Sequence, residues 1–132
     1  MGVTTNSRCL EGLVMPQGAI FVGWGETPAG YRQKAAKVFE EAIAFYTRAQ
    51  QKGDIDSFEP VFLDYHGGDL GGFILIKGDR DKLNRLRMSH DFEVLNARSA
   101  IIVKNLGVID AFVGDELNRR FADFKAHSSE LD

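Results

Sequence analysis

SFEPVFLDYHGGDLGGFILIKG, residues 57–78, is the stretch on which the fold turns. Two apolar runs flank a centre of His66, Gly67, Gly68, Asp69 and Gly71, so the segment reads as a β-hairpin. Pro60 removes a backbone donor that a central strand would use in its ladder. The first arm, SFEPVFLDYH, is therefore expected at a sheet edge, and the second, GGFILIKG, inside the sheet.

Working outward toward the N-terminus, AIFVGWGE (19–26) reads as another strand. A helix follows over Pro28–Lys52, with Thr27 as its cap and Pro28 at its first position. Its apolar residues, among them Ala35, Val38, Phe39, Ala42 and Tyr46, recur every three or four positions and form one stripe. Gly53 is placed to end the helix in the left-handed conformation. On the other side of the hairpin, a helix starts near Asp79 with Leu83 and Leu86 inward. It breaks at Ser89-His90-Asp91 and restarts with Phe92 and Leu95. Residues 100–105 either extend that helix or lead into the fourth strand, LGVIDAFVG (106–114). DELNRRFADFKAH closes the pattern as a helix with Leu117, Phe121 and Phe124 on one stripe. The expected layout is a loose leader over 1–18, one domain over 19–114, and a C-terminal helix and tail over 115–132.

The order β-α-β-β-α-β, with right-handed crossovers, puts the first and third strands in the centre of a four-stranded antiparallel sheet and both main helices on one face. Alternation gives each strand two residue sets. Ile20, Val22, Val61, Leu63, Ile74, Ile76, Ile109, Ala111 and Val113 are expected under the helices. Phe21, Phe58, Phe62, Phe73 and Phe112, with Asp64, His66, Lys77 and Asp110, are expected on the open face. Five exposed phenylalanines would forgo roughly 1.5–3 kcal/mol of burial each, so a second sheet should cover them. In AIFVGWGETPAG, the long first helix, SFEPVFLDYHGGDLGGFILIKGDRDKL and LGVIDAFVGDEL, the chain resembles small uncharacterised bacterial members of the dimeric α+β barrel superfamily. That resemblance implies an α+β, ferredoxin-like fold whose sheets pair face to face in a homodimer. The superfamily holds monooxygenases, isomerases, haem enzymes and non-enzymatic members, so it implies no single activity.

Within such a barrel the expected ligand-binding residues are Phe21, Phe62, Asp64, His66, Phe73, Asp110 and Phe112, and the ligand a small, partly apolar organic molecule. His66, two residues from Asp64, is the best catalytic candidate, as a proton acceptor oriented by the carboxylate in proton-transfer or cofactor-independent oxidative chemistry. The same pair also fits a turn, bonded at the strand end. Asp110, a charge in an apolar strand, needs a partner: a ligand or an intersubunit hydrogen bond. Trp24 fits packing. The rival reading of the whole face is the interface core of a catalytically inert dimer.

No cofactor and no metal are expected. His66, His90 and His127 lie far apart, and Cys9 is the only cysteine. An RNA-recognition motif shares the element order, and IFVGWG (20–25) resembles its aromatic strand. DLGGFILI (69–76), however, lacks the basic start and repeated aromatics of the partner strand. The net charge of −3 also argues against nucleic acid. Among 132 residues, 44% hydrophobic and 27% charged, no apolar run reaches the roughly 18–20 residues that span a bilayer. The leader lacks a secretory core, so a cytoplasmic location is expected.

Overall fold

Residues 17–128 are described by a computed structural model of the chain; the expected leader lies outside them, apart from Gln17 and Gly18. Strand β1 spans Gln17–Trp24 and leads into helix α1, Arg32–Lys52. The hairpin is β2, Ser57–Phe62, and β3, Gly72–Asp79. Helices α2, Arg80–Arg87, and α3, His90–Ile102, follow. The chain returns as β4, Gly107–Ala111, and ends its described part in α4, Gly114–Ser128. The sheet order is β2-β3-β1-β4, antiparallel throughout. Pro60 accordingly sits on an edge strand.

Local chemistry explains the boundaries. Gly53 takes φ +82° and closes α1, its N–H donating to the Ala49 and Gln50 carbonyls. Asp79 caps α2 by accepting from the Lys82 N–H, and Ser89 caps α3 by accepting from the Phe92 N–H. Residues 100–102 extend α3, and the chain then turns through residues 103–106, with Asn105 at φ +57°, into β4. The start of α1 differs from expectation. Gly30 adopts φ +88°, a left-handed conformation that stops a helix from running through it, and Tyr31 becomes the cap position without a side-chain bond. Pro28 and Thr27 are left in the preceding turn.

The faces also differ. Residues paired across an antiparallel ladder point the same way, and the register sets Phe58 beside Ile76, Phe62 beside Gly72 and Ile74 beside Pro60. Phe58 and Phe62 thus belong to the helix-covered face; Phe58 packs on Tyr46 with ring centres 5.6 Å apart. On β4, Asp110 pairs with Ile20 and Ile109 with Phe21. So Asp110 lies on the helix side, while Val61, Ile109 and Ala111 lie on the open face. A one-residue change of parity moves a strand's whole set to the other side. The covered face holds the core: Ile20, Val22, Ile74 and Ile76 against Ala42, Tyr46, Leu83 and Leu95. The open face carries Phe21 and Phe73, stacked at 5.0 Å, with Leu75, Val61 and the largely exposed Ile109.

Candidate functional site

A cleft of about 430 Å³ opens on the helix side of the sheet, between α1, α3 and the C-terminal end of β1. Its walls follow from small residues facing large ones. Ala35, Ala36 and Ala42 on α1 leave room that Trp24 of β1 and Phe62 of β2 border without filling. Gly72 seats the indole: a Cβ there would lie 2.8 Å from the Trp24 ring and 2.7 Å from the Val61 carbonyl oxygen, so only glycine lets Trp24 lie against β3. Phe39 meets Trp24 edge-on at 6.3 Å and Phe62 at 5.0 Å, and Phe62 meets Trp24 edge-on at 6.3 Å. Such geometries suit aromatic quadrupoles. Phe62 remains 69% exposed, so one side of this aromatic cluster is accessible at the mouth.

Deeper in, Tyr46 is buried, and that burial pushes its phenol pKa up from the ordinary value, keeping it protonated. The polar lining is sparse: Thr27, Glu40, Asn96 and Ser99. Ser99 already donates to the Leu95 carbonyl at 2.8 Å. Two ion pairs brace the surrounding elements. Arg98 of α3 holds Glu41 of α1 through two bonds of 2.9 Å, and Lys104 holds Glu26 at 3.2 Å. The interior favours uncharged, apolar matter.

Of the site residues expected from sequence, Phe62 lines this cleft; Phe21, Asp64, His66, Phe73, Asp110 and Phe112 do not. Phe21 and Phe73 lie together on the open face. Asp110 is held by Arg87 at 2.8 Å and Arg80 at 3.2 Å, within the chain rather than across a subunit boundary. Phe112 lies under the Arg120 guanidinium, 3.8 Å from its centre. His66 is exposed, and both ring nitrogens are engaged in its own turn: the Gly68 N–H donates to Nδ1 at 3.2 Å, and Nε2 meets the Leu70 carbonyl oxygen at 2.7 Å. That network places the proton on Nε2. Asp64 accepts from the Tyr65 N–H at 2.9 Å. The apolar wall expected around the imidazole is absent because Phe62 and Phe73 sit on opposite faces of the hairpin.

Sequence reasoning missed Trp24, expected only to pack, together with Phe39, Tyr46 and Asn96 as cleft lining. Their signal was the alanine-rich stretch of α1 opposite the aromatic ends of β1 and β2. Among the described residues, no group of three or more His, Cys, Asp or Glu is placed to hold a metal ion. No helix among them is long and apolar enough to cross a membrane.

No protein-family model and no curated protein matches the sequence. Among solved structures, the chain is similar to a dimeric protein of unknown function with a ferredoxin-like fold from Bacteroides fragilis. The match has a TM-score of 0.54 at 14% identity, over 72% of this chain and 94% of that one. At that identity the likeness is one of architecture. Strand order, helix placement and this likeness together make the chain a ferredoxin-like α+β protein.

Proposed function

We propose that the chain binds a small, uncharged, largely apolar molecule of aromatic size in the cleft bounded by Trp24, Phe39 and Phe62, and does so as a homodimer. The observation that carries the binding reading is the cleft itself. Its volume of about 430 Å³ falls within the roughly 300–1,000 Å³ of small-molecule sites, and aromatic walls with a few polar groups are the usual lining. Pairing through the open face is supported by the half-buried Phe21–Phe73 stack and the exposed Ile109. The dimeric state of the Bacteroides protein supports the same assembly. No reaction is assigned, since Asp64 and His66 lie outside the cleft.

Trp24 is the only tryptophan, so its fluorescence reports on this cleft alone. An uncharged naphthylamine dye should quench Trp24 by energy transfer and saturate at one site per chain. Ala35→Phe, which fills the space, should abolish saturable binding, and Phe62→Ala should weaken it about fivefold or more, as loss of one aromatic contact of about 1 kcal/mol predicts. Equal dye affinity in the wild type and Ala35→Phe would refute the site.

A further inference from the structure

A separate cavity of about 240 Å³ lies on the far side of α1, between its C-terminal half, α2 and the start of α3. Phe45, Arg48, Ala49 and Lys52 line it from α1, at spacings of three and four that put them on one helix face. Lys82 and Arg85, three apart on α2, face the same gap. Four cations therefore converge there with two carboxylates, Asp54 and Asp91, in a chain whose net charge is −3. Lys82 is fixed by donating to the Gly53 carbonyl at 3.1 Å. Lys52 has only a loose contact with Asp54, at 3.7 Å. Among the described residues, neither the Arg48 nor the Arg85 guanidinium has an ion-pair partner. The four cations outnumber the two carboxylates, an imbalance that an added anion would offset.

We propose that this cavity binds a small phosphate monoester. Guanidinium groups reaching in from facing helices suit the multiple oxygens of a phosphate dianion, which each can engage through paired N–H donors. Phe45, held edge-on against Tyr46 at 5.3 Å, and Leu86 supply an apolar floor for the organic group. At about 240 Å³ the space is smaller than the roughly 300–1,000 Å³ of sites for drug-sized molecules, which limits it to a phosphate and a single ring.

Titration calorimetry of the full chain with phenyl phosphate tests the site, alongside inorganic phosphate and benzoate. Phenyl phosphate should bind one per chain, more tightly than either comparison anion. Its amide chemical-shift changes should centre on Phe45, Arg48, Ser89 and Asp91. Arg48→Gln and Arg85→Gln, both at exposed positions, should each weaken binding about tenfold or more, the worth of a hydrogen bond to a charged group. Arg85→Lys, which keeps the charge and loses the fork, should fall between. If a glutamine variant fails to fold, Arg85→Lys and the shift map decide. Affinity unchanged in the variants, benzoate binding as tightly as phenyl phosphate, shifts centred elsewhere, or no binding by about millimolar concentration would overturn the proposal.

Discussion

Replacing Arg80 with methionine should cost about 3 kcal/mol of folding stability. Arg80 opens α2, and its guanidinium reaches three other segments. It bonds both carboxylate oxygens of Glu116 on α4, at 2.7 and 3.3 Å, Asp110 of β4 at 3.2 Å, and the carbonyls of Ala19 and Ala111 at 3.3 and 3.1 Å. The hydrogen bonds it donates to Glu116 are the main influence raising its pKa from an already high ordinary value, against the lowering effect of burial. The two side chains are only 15% and 13% exposed, so solvent screens the pair weakly. Removing one partner of a buried pair costs about 3–5 kcal/mol. The low end applies because Asp110 keeps Arg87 and because α4, which buries none of its residues, can swing Glu116 into water. For a chain of this size, about 3 kcal/mol lowers Tm by roughly 10 °C. Urea denaturation of Arg80→Met, Glu116→Gln and the double variant checks this. Coupling of about 2 kcal/mol is expected, with hydrogen exchange in α4 rising in each single variant. A loss below about 1 kcal/mol, the worth of a surface pair, or strict additivity would refute the reasoning.

The proposed dimer and the cleft can be separated by charge placement. Phe73→Asp should give monomer or aggregate in analytical ultracentrifugation, whereas Phe62→Asp should sediment as the wild type does while losing dye binding; the reverse pattern would mean the wrong face has been paired. Tyr46 supplies a pH dependence at the alkaline end. Its folded-state pKa is raised, so above about pH 10 the unfolded chain releases a proton that the folded chain keeps, and stability falls as pH rises from there. Urea midpoints at about pH 8 and pH 11 should converge in Tyr46→Phe relative to the wild type; an identical alkaline loss in both proteins would assign that loss to other groups.

Much of the architecture was legible because it rests on local chemistry. Pro60 marked the edge strand, Gly53 the end of α1, Ser89 the restart at α3, and the glycines around Asp69 the hairpin. What escaped was the assignment of faces. Grouping Phe58 and Phe62 with Phe21 and Phe73 is chemically tidy, but parity across a sheet is fixed by ladder register, and the loop between β2 and β3 pairs Phe62 with Gly72. The candidate site inherited that error. Of the two readings open for His66, a proton acceptor beside an aromatic wall or a ring bonded in its own turn, the structure has the second. The cleft was hidden for a different reason: it is the space left between α1 and α3, elements separated by more than thirty residues, and no short stretch of sequence encodes such a gap.

Each border of the sheet carries a feature that discourages a further strand. On β2, Pro60 offers no N–H to an incoming chain, and on β4 the Val108 carbonyl is already taken by Arg87 at 3.2 Å. A sheet with blunted borders and an apolar face favours a neighbour added by stacking, and stacking uses up the face in one step. If the chain pairs through its open face as proposed, the first partner covers residues such as Phe73, and no equivalent face is left for a third copy.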